Sequence, residues 1–185
     1  MNYRLFELVN GHAGQVDGID DVMEFAARYL IYLVFAVAAV LGAVALLRGR
    51  LRPVIALGAA LAVALLATLI VSHLNGEVRP FQTHHVHQLI PHDNGVSLPS
   101  DHATAAFTVA FGATVFLSRG WGMMLAVLAT MIGASRVWVG VHYPADILAG
   151  LAIAALAVAV TWAIARPREL DQPTPGASGL SGWSS

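Results

Sequence analysis

The sequence predicts an all-α fold: a polytopic membrane bundle of about five transmembrane helices with an amino-terminal interfacial helix. Three observations lead there. Residues 29–47, 53–71 and 147–165 carry no charged side chain, and each stretch approaches the roughly 20 apolar residues that cross a hydrocarbon layer. Hydrophobic residues make up 57% of the chain and charged residues only 11%, with a mean hydropathy of +0.69, which leaves too few polar faces for a water-soluble bundle. Arginines mark alternate turns between the apolar stretches, as charges do in a chain that threads a bilayer.

The elements follow in order. Residues 1–25 mix apolar Leu5, Phe6, Val9, Met23 and Phe25 with acidic Asp17, Asp20, Asp21 and Glu24, and read as an interfacial element. Asp17 or Asp20 is expected to cap a short helix running toward the membrane. The pattern of a cleaved signal peptide is missing, so the first span serves as the insertion signal. That span covers 27–47 and ends at Arg48, Arg50 and Arg52. Pro53 suits the first turn of a second span reaching 72. The polar stretch 73–98 is long for a plain connection and suggests a functional role. Residues 100–118 form a third span, Ser118, Arg119 and Gly120 a tight turn, and 121–137 a fourth span. A short loop through Gly140 leads to a fifth at 143–165. Residues 1–165 are thus one integral-membrane domain. Residues 166–185, rich in Pro, Gly and Ser, read as a flexible tail.

Alternation places Arg48, Arg50, Arg52, Arg119, Arg166 and Arg168 on one side, which the positive-inside rule makes cytoplasmic together with the carboxyl terminus. The loop 73–98 then faces outward. So do three polar segments, SHLNGEVRPF, LPSDHAT and SRVWVGVHYPAD. A net charge of −1 gives no field that would gather nucleic acid. The absence of cysteine removes disulfides, thiolate nucleophiles and thiolate metal sites.

Parity along the chain brings Arg79, His102, Arg136 and His142 to one depth, and ionisable groups near hydrocarbon are functional candidates. Arg79 and Arg136 offer planar forks suited to phosphoryl oxygens. Ser100 can donate a hydroxyl hydrogen bond, cap the third span, or do both. Asp101 can cap that helix or weaken phosphate binding by repulsion. If the helix already includes His142, Asp146 lies on the same face, and a carboxylate on one imidazole nitrogen frees the other to attack or to take a proton. His102 can donate a proton to a departing oxygen. His84, His85, His87 and His92, near Asp93, admit weak zinc or nickel binding, with an ordinary polar loop as the other reading.

These segments resemble the type 2 phosphatidic acid phosphatase superfamily. Its second motif reads here as Pro99, Ser100, Asp101, His102. Its third reads as Ser135, Arg136, Gly140, His142 and Asp146. Its first, a lysine, six residues and Arg-Pro, retains Arg79 and Pro80 but has Ser72 at the lysine position. The resemblance implies a phosphohistidine mechanism without cofactor or catalytic metal. His142 is the nucleophile, Asp146 orients it, and His102 is the proton donor and later activates water. Arg79, Ser100 and Arg136 bind phosphate oxygens, with the amides of Asp101 and Gly140. The missing lysine leaves one positive charge unaccounted for, which His73 or a neighbouring loop histidine could supply and Ser72 itself could not. Size, span count and Arg-Pro-Phe at 79–81 resemble the bacitracin-resistance branch, which hydrolyses undecaprenyl pyrophosphate to undecaprenyl phosphate and inorganic phosphate. That implies a polyprenyl pyrophosphate lipid, the bilayer and water as partners, no nucleic acid, and an outward-facing site in the bacterial inner membrane, where the carrier lipid of peptidoglycan synthesis is recycled. A broad phosphatidic acid or phosphatidylglycerol phosphate phosphatase, a lipid phosphotransferase and a membrane channel or transporter remain as alternatives.

Overall fold

The computed structural model describes residues 2–166. Its helices are α1 (Asn2–Asn10), α2 (Asp17–Leu47), α3 (Leu51–Leu74), α4 (Pro80–Thr83), α5 (Asp101–Gly112), α6 (Arg119–Trp138) and α7 (Pro144–Ala165), with a π-helical turn, Ala113–Leu117, extending α5. The expected flexible tail lies outside the described residues except for Arg166.

Helices α2, α3, α6 and α7 are long and apolar enough to cross a membrane, and Asp101–Leu117 is a shorter apolar helix. Its place in the bundle explains the shortness. Ala103, Ala106, Phe107, Val109, Ala110 and Ala113 are buried in one core with Val34 of α2, Leu125, Ala129 and Ile132 of α6, and Ala154 of α7. A central helix shielded by its neighbours needs little lipid-facing length, and its alanines let those neighbours approach closely. The outer faces carry exposed Leu47, Leu66, Leu69, Val127, Leu156 and Ile164. So much unpartnered apolar surface belongs against lipid. The protein is a multi-pass membrane protein.

Two boundaries differ from expectation. Helix α2 starts at Asp17, well before residue 27, with Val16 at the cap position, so neither Asp17 nor Asp20 caps it. Asp20 is buried instead and accepts bonds from Gly14 N (3.0 Å) and Trp138 Nε1 (2.8 Å). These partners make helix continuation through an acidic stretch tolerable, because a buried carboxylate needs donors more than it needs water. The turn expected over Ser118–Gly120 shrinks to Ser118, because the π turn ends with Ser118 N donating to Ala113 O and α6 begins at once.

Arg48, Arg50, Arg52 and Arg166 gather at one end. Arg48 and Arg50 line a cavity with Ser118 and Trp121, and Arg52 and Arg166 line another with Phe116 and Trp162. The polar loop, α1 and the α6–α7 turn close the opposite end. There the two ends of the loop are tied together: Val78 bridges Val96, and Ser97 N donates to Glu77 O at 2.8 Å. Arg79 and Ser97 are thereby held side by side.

Candidate active site

The centre of that end is His142, in the turn before α7 and only 2% exposed. Tyr143 is the N-cap residue of α7, so His142 precedes the helix and does not share its face with Asp146. The pair meets differently from expectation. The chain turns at Tyr143, and the Asp146 carboxylate folds back from the first helical turn. Asp146 Oδ2 accepts from Tyr143 N at 2.7 Å, from His142 Nδ1 at 3.3 Å and from Ser97 Oγ at 2.5 Å. Ser97 and Asp146 are fully buried. Three donors converge on Oδ2, while Oδ1 is buried without a hydrogen-bond partner among the described residues.

On the other side of the ring, Arg79 Nη1 lies 3.0 Å from His142 Nε2, and it also donates to Val141 O at 3.3 Å. A guanidinium can only donate. Nε2 therefore presents its lone pair, and the ring proton sits on Nδ1 facing Asp146. Burial pulls the His142 pKa down from 6.5 to about 4; the Asp146 hydrogen bond opposes this, while Arg136 and Arg79 reinforce it. The imidazole is neutral near pH 7, with its Nε2 electron pair turned toward Arg79.

Arg136 closes α6, is 3% exposed, and donates through Nη1 to Ala27 O at 3.2 Å. Its Nε and Nη2, and Nε of Arg79, are buried with no protein acceptor among the described residues. Such donors are costly unless an anion takes them. Ser100 is the N-cap of α5, its Oγ accepting from Ala103 N at 3.5 Å. The amides of Asp101 and His102 accordingly open a helix N-terminus, a natural anion seat. Asp101 is exposed and His102 half-buried, and Arg136, His142, His92 and Arg79 are the charged or titratable groups facing His102. Gly150 lets α7 approach this end of α5. A Cβ there would stand 2.8 Å from Thr104 Oγ1, 3.0 Å from Thr104 N and 3.2 Å from Ser100 O. Ser100 N also donates to Asp146 O at 3.2 Å, locking the two helix starts together.

Several expected residues take other places. The Gly140 amide is committed to Val137 O at 3.1 Å, so the expected phosphate contact gives way to a conformational role. Gly140 has φ +84°, and a Cβ there would stand 2.8 Å from His87 O. Ser135 is buried with its hydroxyl bonded back to Ile132 O at 2.8 Å. Ser72 is half-buried and His73 exposed near the end of α3, and among the described residues neither side chain hydrogen-bonds to the site. The loop histidines disperse. His84 stacks on Tyr3 with centroids 3.9 Å apart, and His87 is gripped through its backbone by Asn10, whose amide also reaches Trp138 O. Among the described residues no three His, Cys, Asp or Glu side chains gather as a metal site. His92 alone reaches the centre, its ring 6.3 Å from that of His142.

Sequence reasoning missed Ser97 as a site residue and left His92 among generic loop histidines. Ser97 stands two residues before the Pro99 motif, and nothing in its own neighbourhood announces a carboxylate partner in α7.

A helical membrane bundle that presents a neutral, carboxylate-oriented histidine to two guanidiniums is built to handle a phosphoryl group. The chain belongs to the PAP2 superfamily, whose model matches residues 53–169. It is 35% identical to the undecaprenyl-diphosphatase BcrC of Bacillus subtilis (strain 168), over 83% of this chain and 79% of that one. It is 36% identical to YbjG of Escherichia coli (strain K12), over 88% and 83%. In fold it is similar to the crystal structure of Aquifex aeolicus LpxE, with a TM-score of 0.72 and 23% identity, covering 88% of this chain and 94% of that one.

Proposed function

We propose that the protein hydrolyses undecaprenyl pyrophosphate to undecaprenyl phosphate and inorganic phosphate, through a phosphohistidine on His142. The observation that carries this reading is the triplet Arg79 Nη1–His142–Asp146, which fixes one ring nitrogen as donor and leaves the other as a lone pair beside unpartnered guanidinium donors. The name of the Bacillus subtilis relative supports the substrate.

In the resting site Arg79 shares Nε2. A phosphoryl oxygen is a stronger acceptor, and it draws Arg79 and Arg136 to itself. Nε2 is thereby released toward phosphorus. Beside the bound diphosphate, whose negative charge favours the imidazolium, His102 takes up a proton; the Nε2–P bond then forms as the bridging P–O bond breaks, and His102 passes that proton to the lipid phosphate that leaves. Asp146, held by Ser97 and Tyr143 N, stabilises the positive ring. His102, now neutral, takes a proton from water, the oxygen attacks phosphorus, and the N–P bond breaks to give inorganic phosphate. Ser100 Oγ and the amides of Asp101 and His102 supply further donors for the equatorial oxygens. Residues 1–165 act as the catalytic domain. The site faces the periplasm or cell exterior of the bacterial inner membrane, and the arginine-bearing end and the tail are cytoplasmic.

The test is phosphate release by purified protein from undecaprenyl pyrophosphate, phosphatidic acid and phosphatidylglycerol phosphate, with the lipid product identified. The diphosphate is expected to be the best substrate. His142→Ala should fold yet trap no acid-labile phosphate. Label on another side chain, or undiminished turnover by the variant, overturns the assignment.

A further inference from the structure

We propose that His92 is a specificity-determining residue whose imidazole binds the second, lipid-bearing phosphate of a diphosphate substrate and takes up a proton as it does so. This deepens the functional reading above and rests on it.

Three observations converge on His92. Of the four histidines in the loop, it is the one whose ring lies against the nucleophile, edge to face with His142 at 6.3 Å. It is half-buried and flanked by Phe81, 6.5 Å away, so the ring sits at the wall of the site and not in open solvent. Its Nδ1 stands 3.2 Å from the carbonyl oxygen of Asp93. A carbonyl only accepts, so Nδ1 carries the proton and Nε2 is left with its lone pair.

That tautomer has a consequence. A neutral His92 cannot donate to a phosphate through Nε2; it must first become an imidazolium. In the free protein burial holds its pKa below the usual 6.5, with Arg79 and then Arg136 pushing the same way, while Asp93, through its backbone and its charge, opposes them. His102 and His142 are the titratable groups across the site from it. A bound diphosphate reverses that balance, because its oxygens neutralise both guanidiniums and place negative charge beside the ring. Proton uptake is then coupled to binding, and His92 contributes only when a phosphate stands next to it.

Position explains why the contact favours two phosphates over one. The transferred phosphoryl group occupies Arg79, Arg136 and the α5 amides in front of Nε2 of His142. His92 belongs to the loop wall and not to α5, its ring 6.3 Å from that of His142, and it faces His102 as well. A single phosphate held at the α5 seat leaves His92 idle, whereas a diphosphate extends a second anionic group to it.

The experiment compares wild type, His92→Gln and His92→Lys on undecaprenyl pyrophosphate and on phosphatidic acid. It is paired with calorimetric binding of methylenediphosphonate and of inorganic phosphate between pH 6 and 8. In His92→Gln, kcat/KM on the diphosphate should fall about tenfold, chiefly through KM, the loss expected for one charge-assisted hydrogen bond. On phosphatidic acid it should change less than about threefold. Methylenediphosphonate should bind wild type more weakly as pH rises, and this slope should be shallower in His92→Gln. His92→Lys should recover part of the affinity with a flat profile. Equal losses on both lipids, a loss confined to kcat, or identical pH slopes in wild type and His92→Gln would each overturn the proposal. A wild-type protein inactive on the diphosphate lipid would instead sink the functional reading. The diphosphonate-to-phosphate binding preference would still decide the role of His92.

Discussion

Ser97→Ala is the sharpest test of how the nucleophile is held. Asp146 Oδ2 takes three donors, and the 2.5 Å bond from Ser97 is the shortest of them. The serine is fully buried, so no solvent molecule stands ready to replace its hydroxyl. A hydrogen bond to a charged group is worth about 1.5–3 kcal/mol. If all of it were felt at the transition state, the rate would fall on the order of 10–100-fold. Part of the bond already operates in the ground state, because Ser97 and Asp146 are joined before any substrate binds. The remainder appears as the ring becomes positive on attack, so kcat should drop about tenfold with KM within about twofold. Rapid-quench measurement of phosphoenzyme formation is the assay. A partly unfolded sample would lower the burst amplitude and leave its rate constant intact, which separates a positioning defect from a folding defect. A variant with the wild-type rate constant, or one whose loss lies wholly in KM, would refute the idea that Ser97 works through Asp146.

Two further outcomes are expected. The pKa of His142 is about 4 in the folded protein and 6.5 when unfolded, so between these values the unfolded chain binds a proton that the folded one does not. Stability should therefore fall as pH drops from 6.5 toward 4, by an amount on the order of 3 kcal/mol, and His142→Gln should flatten that slope in detergent unfolding curves; parallel curves would contradict the buried, neutral ring. In Gly150→Ala the new methyl meets backbone atoms, Thr104 N at 3.0 Å and Ser100 O at 3.2 Å, and should cost about 1–3 kcal/mol while loosening the α5 seat. An unchanged unfolding midpoint with full activity would show that α5 and α7 tolerate separation.

The sequence revealed what depends on local pattern and hid what depends on folding back. The spans were legible because a long uncharged run is rare outside a bilayer, and His102, Arg136 and His142 because parity carries them to one depth. The start of α2 was not legible. Its acidic residues look like exterior, and Asp20 is satisfied inside by Gly14 N and by Trp138, far along the chain. The link from His142 to Asp146 was foreseen but for the wrong geometric reason, since the helix starts after the histidine. Ser97 escaped because its partner lies in α7, and His92 because the orientation of an irregular loop has no period to read. His73, a candidate to supply charge, is exposed in the last turn of α3, and among the described residues its side chain makes no hydrogen bond within the site.

Asn10 ties α1 to the loop and to the end of α6, donating to His87 O at 2.8 Å and Trp138 O at 2.7 Å. The residue after it is glycine, and Asn-Gly is the dipeptide in which a backbone nitrogen most readily attacks the preceding side-chain amide and turns asparagine into aspartate. Here that nitrogen is occupied, with Gly11 N donating to Glu7 O at 2.8 Å, and the amide is 2% exposed. Docking of α1 therefore shields Asn10 from this reaction as well as shaping the site's outer wall. A carboxylate formed at position 10 would face two carbonyl oxygens and push the loop away, so each excursion of α1 from the bundle exposes the clamp to a change that cannot spontaneously reverse.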